Sequence, residues 1–217
     1  MIVAIDGPAG AGKSTIATQV AKRLGLQLID TGAMYRVVAY LATAAGIPLE
    51  DENRLAELAS DLDFSFEFVG DENRAFCNGK PLGTEIRSEE VGKAASMVSQ
   101  HPAVRATLVA LQRKMGQAHG SVLEGRDIGT VVFPDADVKV FLTASSDERA
   151  RRRVEQLRER GEQADPEQIL ADIRERDERD TTRATAPLIA ADDAVKIDST
   201  TNSIDDVVAS IVALAAH

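Results

Sequence analysis

Ile2-Val3-Ala4-Ile5-Asp6-Gly7-Pro8-Ala9-Gly10-Ala11-Gly12-Lys13-Ser14-Thr15 decides the fold of this chain. Residues 2–5 are an apolar run suited to a strand buried on both faces. Gly7, Gly12, Lys13 and Ser14 then fit G-x-x-x-x-G-K-[ST], the phosphate-binding loop or P-loop. Glycines let the backbone curl until successive N–H groups face phosphate oxygens, and the helix that follows adds its N-terminal donors and dipole. Lys13 is placed to reach the β- and γ-phosphates of a nucleotide, and the Ser14 hydroxyl to ligate Mg²⁺. The context supports the motif over a chance glycine turn. Ile16, Val20 and Leu24 recur at helical spacing, and Gly25 is a natural C-cap.

The 217 residues suit one compact unit with small insertions, and 44% hydrophobic content can fill a core. A net charge of −10 opposes general binding to nucleic acid or to a membrane surface. A small phosphorylated substrate stays compatible if basic side chains gather locally. Cys77 is the only cysteine, which excludes an internal disulfide or a cysteine-built metal site. No basic leader precedes the first strand, and no apolar run reaches about 18 residues, so a soluble cytoplasmic protein is expected.

Residues 26–29 read as a second buried strand, followed by Asp30-Thr31-Gly32-Ala33-Met34-Tyr35-Arg36 at its C-terminal end. Ligands of open parallel sheets gather there, so Asp30, Thr31 and Arg36 are candidates to face substrate. Asp30 or Thr31 could equally cap a helix starting near Tyr35. Residues 51–62 have helical spacing; Phe64, Phe66 and Phe68 then alternate with polar residues, as in a half-buried strand. A turn over 70–73, a strand over 74–77 and the hairpin signal Asn78-Gly79 complete a small antiparallel insertion over roughly 60–86. Its aromatic stripe reads as core rather than as a base-stacking platform.

Helices are expected over 88–100 and 102–118, with His101 as a capping or surface residue between them. Residues 121–124, 138–142 and 194–197 read as three further core strands, and the first of these runs into Gly125-Arg126-Asp127. A last helix begins near Ser203, with Asp206 completing a capping box and Ile204, Val207, Val208, Ile211 and Leu214 as its apolar positions.

Residues 149–183 hold ten arginines and no lysine. A helix over 146–160, with Ala150, Val154 and Leu157 inward and Gly161 as C-cap, precedes one starting at Asp165-Pro166-Glu167-Gln168. Acids are equally numerous, so a solvated helical pair laced with ion pairs explains several of these arginines. It explains poorly the exclusive use of arginine, whose planar fork binds phosphate bidentately. A mobile, arginine-bearing lid is the favoured reading.

No N-K-x-D or D-x-x-G motif points to a GTPase, and no L-S-G-G-Q stretch to a transporter ATPase. What remains is a small kinase. Asp30 to Arg36, Gly125-Arg126-Asp127-Ile128-Gly129-Thr130-Val131-Val132-Phe133-Pro134, and Arg176-Asp177-Glu178-Arg179-Asp180 with Arg183 and Ala186-Pro187-Leu188 closely resemble the bacterial cytidylate kinase family over essentially the whole chain. The resemblance implies an α/β P-loop kinase: a five-stranded parallel sheet flanked by helices, a small antiparallel β insertion in the acceptor-binding region, and a helical lid. The implied division is core over 1–35, 103–145 and 184–217, acceptor-binding region over 36–102, and lid over 146–183. It implies transfer of the γ-phosphate of ATP, with Mg²⁺, to CMP or dCMP, by a monomer without nucleic-acid or membrane partners.

Carried over by motif, Gly7, Pro8, Ala9, Gly10, Ala11, Gly12, Lys13, Ser14 and Thr15 would hold ATP, with Ser14 on the metal. Thr31, Arg36 and Arg126 would hold the CMP phosphate. Ser96, Arg105 and Asp127 would read cytosine, and Arg176, Asp180 and Arg183 would contact sugar and phosphate. Lys13, Arg126, Arg176 and Arg183 would serve the transfer itself. The family often has serine where Thr31 stands, and its Ser14 position varies to glycine. Other acceptors, as in adenylate- or shikimate-type kinases, or a nucleic-acid-associated regulatory role, are the alternatives.

Overall fold

The structure is a computed structural model that describes residues 1–159 and 161–216. Five parallel strands form the central sheet in the order β2 (Gln27–Asp30), β6 (Ser121–Gly125), β1 (Ile2–Asp6), β7 (Val138–Thr143), β8 (Val195–Asp198). Val3, Ala4 and Ile5 of β1 are fully buried, as is all of β6, because helices cover both faces. Each large apolar side chain so buried contributes about 1.5–3 kcal/mol. One layer packs around α2 (Thr31–Ala44), α3 (Glu52–Ser60) and α5 (Pro102–His119), the other around α1 (Lys13–Leu24) and α8 (Ile204–Leu214).

The register positions the site. Asp6 lies opposite both Gly125 and Phe141, and Asp30 opposite Glu124. The P-loop, the start of α2 and Gly125-Arg126-Asp127 therefore leave the sheet side by side. They do so where the strand order reverses, the usual ligand crevice of such sheets.

Several elements differ from expectation for local reasons. Helix α2 begins at Thr31 rather than near Tyr35, because the Asp30 carboxylate accepts from the Ala33 amide at 3.0 Å and caps it immediately. In the insertion, β3 (Phe64–Val69) pairs with β4 (Glu72–Cys77), which starts two residues earlier than expected. Gly70, at φ 62°, closes a two-residue turn there. Asn78 and Gly79, both at positive φ, turn the chain into the short β5 (Lys80–Pro81). Phe64 and Phe66 are buried, but in the main core rather than in one of the insertion's own, and Phe68 is half-buried against the other layer's cluster. Gln27 Nε2 donates to the Phe66 carbonyl at 3.1 Å and Asn73 Nδ2 to that of Leu28 at 3.2 Å, which fastens the insertion to β2.

Residues 128–132 form a π-helical turn that the sequence did not announce. The Asp6 carboxylate accepts the Ile128 and Gly129 amides at 2.8 and 2.7 Å and fixes it. Burial outweighs these two bonds and pushes the Asp6 carboxyl up to about 6. Helix α4 (Glu89–Val98) leads through Ser99 and His101 into α5; the His101 ring donates to the Leu49 carbonyl.

Helices α6 (Ser146–Glu159) and α7 (Pro166–Thr182) share a separate small core of Ala150, Val154, Leu157 and Ile169. Asp165 caps α7 as expected, and Gly161, at φ 74°, donates back to the Arg158 carbonyl. Arg160, included in the expected helix, lies outside the described residues. On α8, Ser203 caps Asp206 as read, but Ile204 and Leu214 are exposed.

Candidate active site

The P-loop has its required conformation. Gly7 stands at φ 150°, and a Cβ there would lie 2.1 Å from the Leu142 carbonyl oxygen. Gly12, at φ 88°, caps α1 in the left-handed region that side chains disfavour. Arg149 Nη1 donates to the Ala9 carbonyl at 3.0 Å and Ser199 Oγ to that of Ala11 at 3.0 Å. A trans peptide sets its N–H opposite its C=O, so the Gly10 and Gly12 amides point away from those partners. Lys13 is buried and folds its Nζ onto the Pro8 carbonyl at 2.7 Å. Burial first, then Arg126, hold its pKa well below the ordinary lysine value. Ser14 and Thr15 stay exposed in the first turn of α1, and Ser14 Oγ donates to Glu124 Oε2 at 2.9 Å.

Around this loop the sequence-predicted cations converge. Arg126 lies close enough to Lys13, Arg36 and Arg176 to lower the pKa of each, after burial in every case. Burial and Arg126 lower the Arg176 pKa to about 10, so it stays charged at neutral pH. Arg126 Nε donates to Asp180 at 3.0 Å. Burial opposes ionisation of Asp180, but Arg126 and Arg176 still hold its carboxyl below the ordinary value. Arg36 donates to the Ile86 carbonyl at 3.1 Å and passes against Gly92, where a Cβ would come within 3.2 Å of its nitrogens.

A second polar cluster lies beside the first. Arg105 and Asp127, both buried, form an ion pair; Arg183 Nη2 lies 3.6 Å from the other Asp127 oxygen. Burial raises the Asp127 pKa despite both arginines. Ser96 and Ser99 are buried alongside, and Arg105 reaches the Ser99 carbonyl at 3.4 Å.

Two features bear on what the site holds. Arg176 Nε and Arg183 Nη2 are buried without a hydrogen-bond partner among the described residues. Cations packed together with unused donors suit an anionic ligand. No group of three His, Cys, Asp or Glu side chains among the described residues is placed to hold a metal. Ser14 and Glu124 instead offer hard oxygens beside the loop, which suits Mg²⁺ shared with phosphates rather than a protein cage. A surface groove of about 610 Å³ between Lys22, Leu26, Phe68 and Asp71 includes none of these residues.

Thr31 is buried at the site, with its hydroxyl donating to the Glu124 carbonyl at 2.7 Å. Sequence reasoning missed four residues. Glu124, read only as a strand end, is buried beside Ser14, and burial followed by Asp30 raises its pKa. Tyr35 places its ring 5.7 Å from the Arg105 guanidinium. Ser99 links Arg105 to Arg183. Arg179 donates to Ser96 Oγ at 3.3 Å.

A P-loop opening beneath a roof of arginines, at the carboxyl edge of a parallel sheet, defines a P-loop phosphotransferase for a small phosphorylated acceptor. The comparisons narrow the class. A solved, uncharacterized protein from Eubacterium ventriosum shares the fold alone, with TM-score 0.53 and 13% identity, covering 98% of this chain and 96% of that one. The family model for cytidylate kinase matches residues 3–217. A cytidylate kinase from Geobacter sp. (strain M21) is 53% identical over 95% of this chain and 89% of its own length. One from Aeromonas salmonicida (strain A449) is 46% identical over 99% of this chain and 93% of its own. The chain belongs to the cytidylate kinase family. No helix among the described residues is long and apolar enough to cross a membrane.

Proposed function

We propose that the chain transfers the γ-phosphate of ATP to CMP or dCMP, giving ADP and CDP or dCDP, with the site residues in the roles below. One observation carries the assignment of roles: Arg126 and Arg176 stand close enough to the P-loop lysine to lower its pKa, and the buried Arg176 Nε has no hydrogen-bond partner among the described residues. ATP would lie along residues 7–15, with Lys13 at its terminal phosphates. Arg36 and Arg126 would clamp the CMP phosphate from the opposite side, with Thr31 lining the site. Arg176, Asp180 and Arg183 would contact sugar and phosphate.

Transfer needs no covalent intermediate. An oxygen of the CMP phosphate bonds to the γ-phosphorus as the bond to the bridging oxygen of ADP breaks. Lys13, Arg126, Arg176 and Arg183 stabilise the charge on the moving group, which is where preorganised cations act most strongly. No general base is required, because the attacking phosphate oxygen is already ionised. Ser14 would hold Mg²⁺, with Glu124 behind it. Bound there, the ion would neutralise phosphate charge. Closure of the lid would exclude water and suppress hydrolysis of ATP.

Base choice falls to Ser96, Arg105 and Asp127. Cytosine presents an N4 amino donor with N3 and O2 acceptors. A carboxylate or hydroxyl takes the donor and an arginine supplies the acceptors. Uracil reverses N3 and the 4-position, and the resulting buried mispairs are costly. The roles assigned here call on no residue of a second copy, and the reading is of a monomer. The nucleotide substrates support a cytoplasmic location. The deciding measurement is a panel of monophosphates with ATP and Mg²⁺: CMP and dCMP turn over far faster than UMP or AMP, and equal AMP and CMP turnover removes the cytosine assignment.

A further inference from the structure

Helix α7 meets helix α4 along a polar seam. Lys93 Nζ lies 2.9 Å from Asp172, Arg179 Nη1 donates to Ser96 Oγ at 3.3 Å, and Arg183 Nη1 reaches Ser99 Oγ at 3.5 Å. Arg153 of α6 adds a contact to Glu89 at 3.1 Å. Glu89, Lys93 and Ser96 stand at i, i+4 and i+7 on one face of α4, and Asp172 and Arg179 at i and i+7 on one face of α7. The two contacts between these faces run in the same direction along both helices, so they belong to one seam.

Within the seam, Arg179 touches the one hydroxyl assigned to base reading. Its other terminal nitrogen pairs with Glu175 one turn earlier, which orients the guanidinium plane. Arginine carries donors only, so Ser96 Oγ must accept from it, and the serine proton must point elsewhere. A helical serine without such a donor can rotate and bond back to the carbonyl four residues earlier, which here belongs to Gly92. We infer that Arg179 is a positioning residue for the acceptor base: from the lid helix it fixes the rotamer and proton direction of Ser96, so base reading is complete only with α7 seated on α4. This rests on the reading of Ser96 given under Proposed function.

The test is a double-mutant cycle measured as KM and kcat for CMP and KM for ATP, with the thermal midpoint alongside. Arg179→Ala raises KM for CMP about tenfold, the scale of one charge-assisted hydrogen bond, and leaves KM for ATP and the midpoint nearly unchanged. Arg179→Lys, which keeps a donor, restores most of the loss. Ser96→Ala raises KM for CMP comparably, and the double variant is no worse than Ser96→Ala alone. If the two effects multiply, or Arg179→Ala leaves KM for CMP unchanged while Ser96→Ala raises it, the positioning role is wrong and the reading of Ser96 stands. If Ser96→Ala itself leaves CMP kinetics unchanged, the base-reading assignment falls and this inference with it.

Discussion

Helices α6 and α7 are both rich in arginine, and they use it in opposite ways. On α6, Arg149 pairs with Asp177 and with the Ala9 and Ala144 carbonyls, Arg151 with Glu148 and Glu155, and Arg152 with Glu148 and Ser199. Nearly every donor has a partner within the chain, and two of these arginines brace the P-loop from behind. On α7 and just past its end, Arg176 and Arg183 each keep a buried nitrogen that lies near a carboxylate but makes no hydrogen bond among the described residues, and Arg176 stands among other cations. The number of arginines therefore does not locate the ligand. The donors left over once the chain's own acids and carbonyls are satisfied do.

The strongest way to break this contrast is to remove a charge from each side. Arg126→Ala or Arg176→Ala is expected to lower turnover of CMP by about 10³-fold or more, the scale of losing a clamping cation in phosphoryl transfer. Arg176→Ala should leave the thermal midpoint nearly unchanged, because it removes repulsion from Arg126 together with attraction to Asp180, whereas Arg126→Ala also strips the buried Asp180 of its hydrogen bond and should lower the midpoint. Steady-state kinetics and thermal melts check both. Near-normal turnover in both variants would move the site elsewhere. Arg149→Ala should show the reverse pattern. It leaves Asp177 without its partner and frees the Ala9 carbonyl, and Asp177 is partly exposed and can rehydrate. A loss of about 2 kcal/mol in urea denaturation is expected, below the range for fully buried pairs. A stability loss smaller than that of an exposed pair would place Arg149 with the α7 set.

The contrast was only half legible in the sequence. The P-loop and β1 were, because a strand buried on both faces is a continuous apolar run and the loop demands glycine at fixed positions; the edge strand β8, Val-Lys-Ile-Asp and mostly exposed, was legible only from its β-branched residues. The grouping of Arg105 with Asp127 followed from the family resemblance alone, which put Arg183 with the sugar and phosphate instead; nothing local in 105, 127 or 183 says that the three meet. Arg179 was hidden by Glu175, which makes it look like an ordinary i,i+4 surface pair, and its contact with Ser96 spans 83 positions. The π-helical turn was hidden for the same kind of reason: its anchor, Asp6, lies 122 residues before Ile128. Glu124 was read for its backbone, as the end of a strand, while its carboxylate faces Ser14. Long-range polar contacts leave no periodicity, so no sequence window records them.

The P-loop sharpens the comparison from the other direction, because its cation alone can lose its charge near neutral pH. In the free protein burial and Arg126 depress Lys13 below the ordinary 10.5. Bound triphosphate favours the charged form and returns the value upward. The bound state then holds more protons than the free state between the two values, so ATP affinity falls as pH rises through that window. One unit of difference corresponds to about 1.4 kcal/mol, or tenfold in affinity. Calorimetry in buffers of different ionisation enthalpy should register proton uptake on binding, and Lys13→Arg should abolish it. Proton release would reverse the sign and refute the assignment.

The smallest expected effect is at Arg151, and its smallness is what the contrast requires. Its guanidinium is more than half exposed and sits between Glu148 at 2.8 Å and Glu155 at 2.6 Å, on the outer face of α6. Hydrogen bonds from Arg151 and Arg152 hold the Glu148 carboxyl down at about 2, yet solvent screens this network. Exposed i,i+4 pairs contribute roughly 0.3–0.5 kcal/mol. Arg151→Ala should therefore shift stability by no more than about 0.5 kcal/mol and leave CMP turnover within twofold of the parent. Adding salt should erase what difference remains. A large loss of turnover at Arg151 with stability intact would show that α6 also supplies cations to the reaction, and the division of labour between the two helices would not hold.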